Sequence, residues 1–280
     1  MRKKLKPIVV IGFFLTFFAI IFISGVYGNR ATAGKETTIT QSNTNPTSIE
    51  TIPSSSYYIT NALEMKPIID ISAWQRPSEI DYDTLSQNIS GAIVRIQSGS
   101  HTKNENTATD ENGLDKAFDT HIKEFQARNI PVAVYAYVTG NSIDSMKEEA
   151  RSFYEAANKY NPTFYWLDVE EHTMDDMNGG VEAFRQELES LGAKNIGIYV
   201  GTYFMEDHSI NVDKFDAIWI PTYGVDSGYY NAAPSTDLDY DLHQYTSRGY
   251  VNGFENYLDL NIITTLKDPN EVYLKLFTTP

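Results

Sequence analysis

With 280 residues, 41% of them hydrophobic, the chain is long enough to bury one sizeable core. It contains no cysteine, which excludes disulfides, thiolate nucleophiles and cysteine-based zinc sites together. The formal net charge is −15; of 22 basic residues, Arg2, Lys3, Lys4, Lys6 and Arg30 fall in the first 30 residues, which hold no acid, and this leaves 17 basic against 37 acidic residues in the remainder. So acidic a body argues against nucleic acid as a partner, because phosphate binding rests on Lys and Arg.

The first segment, residues 1–28, opens with basic residues and continues as an uncharged run from Pro7 to Tyr27 rich in Ile, Val, Phe and Leu. That run is long enough to span a bilayer and longer than the usual core of a signal peptide, so an uncleaved transmembrane helix is expected, with the basic end in the cytoplasm and the rest outside. Ala31-Thr-Ala33 offers a small-residue cleavage site, and secretion after processing is the competing reading. Residues 29–64 shift to Ser, Thr, Asn, Pro and Gly without a period of 2 or 3.6, which predicts a flexible stalk. Residues 65–280 are predicted to form the folded domain, with no internal repeat and no appended module.

Within that domain apolar runs alternate with amphipathic segments. The predicted strands are Pro67–Ser72, Gly91–Gln97, Pro131–Val138, Phe164–Glu170, Asn195–Gly201, Phe215–Tyr223, Asp241–Thr246 and Tyr257–Asn261. The predicted helices are Gly113–Arg128, with Leu114, Phe118, Ile122 and Phe125 at helical spacing, then Ser142–Tyr160 and Gly180–Leu191. Repeated strand and helix units imply a parallel sheet, and about eight of them imply closure. Because the later strands lack full helices between them, with short turns such as Tyr203–Ser209 instead, the fold class expected is α/β, an irregular TIM-like barrel.

Catalytic groups of such barrels sit at the C-terminal ends of the strands. The fourth strand ends in Asp168-Val-Glu170-Glu171, where acids have no packing role in a doubly covered strand. Asp168 and Glu170 are two apart and share a face, with Trp166 one step below them. Two neighbouring carboxyls beside an aromatic have pKa values pushed apart, which suits glycoside hydrolysis; capping of the next helix by Asp168 is the plain alternative. Asp70 ends the first strand just before Trp74, Tyr135 and Tyr137 share a face of the third, and Tyr199 lies in the fifth. Trp219 and Tyr223 lie in the sixth, Gln244 in the seventh and Asp259 in the last. Each of these alone suits packing, but carboxylates ringed by aromatic side chains at one sheet edge suit a sugar-binding cleft.

Four motifs in order carry a resemblance: Asp70-Ile-Ser-Ala-Trp74-Gln75, Tyr165-Trp-Leu-Asp168-Val-Glu170, Ile218-Trp219-Ile-Pro-Thr-Tyr223, and His243-Gln244-Tyr245 followed by Leu258-Asp259-Leu-Asn261. From about Lys66 to Asn261 the chain resembles the family 25 glycoside hydrolases, the Chalaropsis-type lysozymes, which are N-acetylmuramidases. The resemblance implies an irregular α/β barrel, peptidoglycan glycan strands as substrate, Glu170 as proton donor, and Asp70, Asp168 and Asp259 as the other cleft carboxylates. It also suits a reaction in which the substrate's 2-acetamido group is the nucleophile. Many relatives carry histidine where Ala136 stands between two aromatics, a departure expected to bear on sugar contact.

The five histidines lack a metal-ligand spacing, and no metal or cofactor is expected. Asp237-Leu-Asp-Tyr-Asp241 reads as an acidic turn rather than a calcium loop, and Gly179-Gly180 as a loop before a helix. The function expected is therefore peptidoglycan hydrolysis by a monomer held at the outer face of the cell membrane. A chitinase-like glycosidase and a non-catalytic tether that only binds wall glycan are the rivals.

Overall fold

The computed structural model describes residues 61–99 and 105–279. The apolar run Pro7–Tyr27 and nearly all of the Ser/Thr/Asn-rich segment lie outside the described residues; among the described residues no helix is long and apolar enough to cross a membrane.

Eight strands close into a barrel in sequence order. They are β1 (Ile68–Ile71), β2 (Gly91–Gln97), β3 (Val132–Tyr137), β4 (Tyr165–Val169), β5 (Ile196–Val200), β6 (Ala217–Pro221), β7 (Leu242–Gly249) and β8 (Leu258–Ile263). The α-helices among the described elements are α1 (Tyr82–Ser86), α2 (Phe118–Ala127), α3 (Ile143–Ala157), α4 (Met177–Leu191), α5 (Thr202–Asp207) and α6 (Pro269–Phe277). Pairing from β1 through β7 is parallel. β8 runs the other way, antiparallel to both β7 and β1, which corrects the all-parallel expectation. The connection from Tyr250 to Tyr257 is too short for a parallel crossover, which takes about a dozen residues or more, so the chain turns back as a hairpin. In consequence Asp259, near the start of β8, reaches the same end of the barrel as the C-terminal ends of the other strands, and pairs with Asp70 in register.

Helix boundaries follow local chemistry. Ser142 and Ser145 form a reciprocal capping box at the start of α3, and Gly192, at φ +96°, ends α4 in the left-handed conformation that glycine adopts without strain. Asp176 caps α4 by accepting from the Gly179 N–H at 2.8 Å. The pair Gly179-Gly180 is thus the first turn of α4 and not a loop, and a Cβ on Gly179 would meet Asp176 Oδ2 at 2.2 Å. Helices α1, α5 and α6 were absent from the predicted elements; α1 and α5 are too short to carry a period, and α6 follows the last motif.

The core has two layers. Outward-facing strand residues such as Val94, Val134, Leu167 and Ile198 pack against Phe125, Phe153 and Phe184 of α2, α3 and α4. Ala136 belongs to this outer cluster and is fully buried, so its side chain is on the helix side of β3 and has no part in sugar contact. Inside the barrel Ile68, Ile93, Ala133, Phe164, Ala217, Leu242 and Ile263 form an apolar floor that also holds Trp166 and Trp219. At the other end of the acidic turn Asp241 is buried, accepts from the Ile218 N–H and pairs with Lys267 and Lys275 at 3.0 Å, so it is a structural counter-ion.

Candidate active site

Alternation along each strand turns every second side chain inward, so the floor is followed upward by a second and third layer. Trp166 and Trp219 fill the middle with ring centroids 5.6 Å apart, and Trp166 stacks on Phe164 at 5.0 Å. Trp166 is 1% exposed, so it supports the layer above it and cannot stack on a ligand; its expected place among substrate contacts is corrected on that ground. The space it needs is left by Gly197 on β5, where a Cβ would lie 2.4 Å from the indole ring.

Above the tryptophans the strand ends bring together Asp70 (β1), Tyr135 (β3), Asp168 and Glu170 (β4), Tyr199 (β5), Trp219 and Tyr223 (β6), Gln244 (β7) and Asp259 (β8), around a cavity of about 170 Å³. Two larger hollows, of about 470 and 530 Å³, are lined by residues before and at the start of β3 and β4, by residues before β5 and by the C-terminal Phe277–Thr279, with no Asp or Glu. Acid–base chemistry therefore belongs to the smaller, acidic one. Trp74 and Tyr137 do not line this cavity. Trp74 stands beyond β1 and is 59% exposed, while half-buried Tyr137 donates to Glu171 Oε2 at 3.1 Å.

A hydrogen-bond network fixes the cluster. Asp70 Oδ2 accepts from Gln244 Nε2 at 2.9 Å and from Asn261 Nδ2 at 2.8 Å. Gln244 Oε1 accepts from the hydroxyls of Tyr199 at 2.8 Å and Tyr223 at 2.6 Å, and Asn261 Oδ1 accepts from Trp219 Nε1 at 2.8 Å. Both amides thus have settled orientations, since each donates to the carboxyl and accepts from a ring. Asp168 Oδ1 is buried without a protein hydrogen-bond partner among the described residues. Glu170, by contrast, is solvent-accessible at the top of the cleft, yet enough protein surrounds it to disfavour its charge.

Four carboxyls in so small a volume titrate as one system. Burial raises Asp70 to about 6 against the pull of Asn261 and Gln244, and it raises Asp259 to about 9 with the charges of Asp70, Asp226 and Glu170 adding to it. Asp168 is pushed well up by burial and then by Glu170, Asp70 and Asp259, with Arg95 acting in the opposite sense. Burial and then Glu171 raise Glu170. At neutral pH the cleft therefore holds both a charged carboxylate and protonated carboxyls, the pair of states that acid–base catalysis needs.

Arg95, absent from the sequence-based site, is an inward cation on β2 and is 9% exposed. Its Nε and Nη2 approach Asp115 Oδ2 at 3.0 and 2.9 Å, and Asp115 also accepts from the Ala73 and Ala117 N–H groups at 2.9 Å. A charge inside the apolar run Gly91–Gln97 was the available signal, because an Arg is almost never buried unpaired. Asn261 was missed too, although it stood inside a quoted motif. Among the described residues no group of His, Asp or Glu is arranged to hold a metal ion. His121 and His243 are internal; each places Nε2 against a backbone carbonyl, of Ser72 at 3.1 Å and Thr222 at 2.8 Å.

The family model for glycosyl hydrolases family 25 matches residues 69–254. The chain belongs to that family. Its glycoside hydrolase identity is supported again by GHIP of Streptococcus pneumoniae, a glycosyl hydrolase 25 described as a virulence factor participating in host cell invasion. The two share 58% identity over 81% of this chain and 98% of that one, with a TM-score of 0.76. The catalytic domain of endolysin ply40, from bacteriophage P40 of Listeria monocytogenes, is 25% identical over 74% of this chain and 97% of its own, at a TM-score of 0.64. The bacterial lysozyme from Streptomyces coelicolor, 18% identical over 78% of this chain and 99% of that one, shares the fold at a TM-score of 0.61. A search of curated proteins gave no match. The family match stops before β8, so this glycoside hydrolase takes Asp259 and Asn261 from a strand outside the matched region.

Proposed function

We propose that this family 25 hydrolase cuts peptidoglycan, at the bond between N-acetylmuramic acid and N-acetylglucosamine. The observation that carries the reading is the unpartnered, buried Asp168 Oδ1 beside accessible Glu170 in a ring of aromatic side chains. Endolysins and lysozymes among the structural relatives support the choice of polymer. In the reaction Glu170 donates a proton to the leaving oxygen and later takes one from water. Asp168 turns its open oxygen to the 2-acetamido N–H of the sugar and holds the carbonyl in position to attack. Although Asp168 shares protons with its neighbours in the resting cleft, positive charge developing on the acetamido group favours its carboxylate form, and Arg95 acts in the same direction.

Alternate positions on one strand put the Cβ atoms of Asp168 and Glu170 about 6.5–7 Å apart, a spacing that leaves room for the acetamido group to do the work of a protein nucleophile. Net retention is the outcome this route gives. Asp70, charged at neutral pH, and Asp259 bind sugar hydroxyls or steady the developing oxocarbenium ion.

Digestion of isolated walls by the full-length protein, with analysis of the new reducing ends, tests the reading. Ends at N-acetylmuramic acid are expected. Release from chitin with none from walls would make it a chitinase-like enzyme, and binding without soluble fragments would make it a tether. The site of action rests on sequence alone: the Pro7–Tyr27 run is proposed to hold the enzyme at the outer face of the membrane. Full-length protein in washed membranes supports that, and a mature N-terminus at Gly34 in culture medium refutes it.

A further inference from the structure

The β7–β8 hairpin carries two tyrosines that the site described above does not use. Tyr250 is 66% exposed and Tyr257 48% exposed, and their ring centroids are 4.8 Å apart at 54°. The residues between them are well anchored. Val251 and Phe254 are buried, the Asp81 N–H donates to the Gly253 carbonyl at 2.8 Å, and Phe254 bridges to Ile80. On the β7 side Asp226 accepts from Thr246 Oγ1 at 2.7 Å and from the Ser247 N–H and Oγ at 2.9 and 2.8 Å. A loop that buries its aliphatic and phenyl groups and is tied down on both sides nevertheless holds two phenol rings out in water.

Their position follows from the strand. Asn261 and Asp259 face the barrel interior, and Tyr257 lies two residues before Asp259, just outside the start of β8 and one step further from the barrel floor. The step is about 7 Å along the chain. We propose that Tyr250 and Tyr257 form a stacking platform for a sugar of the same strand, one position beyond those held over the carboxylates, on the Asp259 side of the cleft. The chemistry fits a pyranose: an aromatic face for the apolar C–H face of the sugar, with a phenol edge that reaches its hydroxyls. Continuity with the cleft is what selects glycan over a protein partner as the occupant. The proposal rests on the reading of the cleft as a glycan-cutting site.

Soluble wall-glycan oligomers of increasing length, cut by the full-length protein and its Tyr250→Ala/Tyr257→Ala double variant, provide the test. The readout is the ratio of kcat/KM on a long oligomer to that on the shortest one cleaved. Exposed aromatic surface of this size is expected to lower that ratio about tenfold in the double alanine variant. The double Phe variant, which keeps the rings and loses the hydroxyls, is expected to retain most of it. An unchanged ratio in the alanine variant overturns the platform. Should the wild type cut no oligomer of any length, the hydrolase reading fails on its own. The platform is then judged by calorimetric affinity for the long oligomer, which the alanine variant must lose and which, if kept, overturns it.

Discussion

Replacing Asp70 with Asn makes the fold more stable as pH rises, because the wild-type protein keeps a carboxyl where charge is unfavourable. Burial lifts Asp70 from its usual 3.8 to about 6. A carboxyl with a raised folded pKa contributes stability that is full below the unfolded value and is lost as pH rises through the folded one. At about 1.36 kcal/mol per pKa unit, ionisation of Asp70 costs the fold about 3 kcal/mol above pH 6. The Asn replacement removes that cost and keeps the geometry, since Gln244 and Asn261 both donate to the one oxygen, Oδ2, which an amide carbonyl can replace. Urea unfolding of wild type and Asp70→Asn across pH 4 to 8 measures it. The expected difference is near zero at pH 4 and reaches about 3 kcal/mol in favour of the variant at pH 8, or roughly 6–12 °C in Tm for a domain of this size. A difference that does not change with pH, or that turns against the variant as pH rises, would refute the reasoning.

Gly197→Ala should destabilise by about 1–3 kcal/mol through overpacking against Trp166, although Gly→Ala within a strand is otherwise favourable by roughly 0.5–1 kcal/mol; a rise in Tm would contradict the packing. Asn261→Ala leaves the Trp219 N–H without its acceptor and takes one donor from Asp70, which should cost about 1–3 kcal/mol at low pH and more as pH rises, read from the same unfolding curves.

Strands were legible because barrel staves buried on both faces form uninterrupted apolar runs, and Gly91–Gln97 coincides with β2. The reversal of β8 was not, since a single strand shows no direction in its own residues; only the length of the Tyr250–Tyr257 connection does. At the site, Asp168 and Glu170 were readable as acids out of place at the end of an apolar run. Their period-2 neighbour Trp166 shared the face but not the depth: alternation tells which side a residue is on, and burial one step further down removed it from the cleft. Asn261 and Arg95 went unread for a related reason. Their roles come from partners far away in sequence, Asp70 and Trp219 for the one and Asp115 for the other.

Glu170→Gln, assayed on isolated walls beside wild type, bears most directly on the claim that this cleft cuts glycan by proton donation. Gln keeps the size and hydrogen-bonding capacity of the side chain and lacks the proton, and general acid–base contributions are typically about 10²–10⁴-fold. Soluble fragments are expected to fall by at least that factor while wall binding and Tm stay at wild-type levels. Release of fragments at the wild-type rate would contradict it and move the acid to another carboxyl of the cleft.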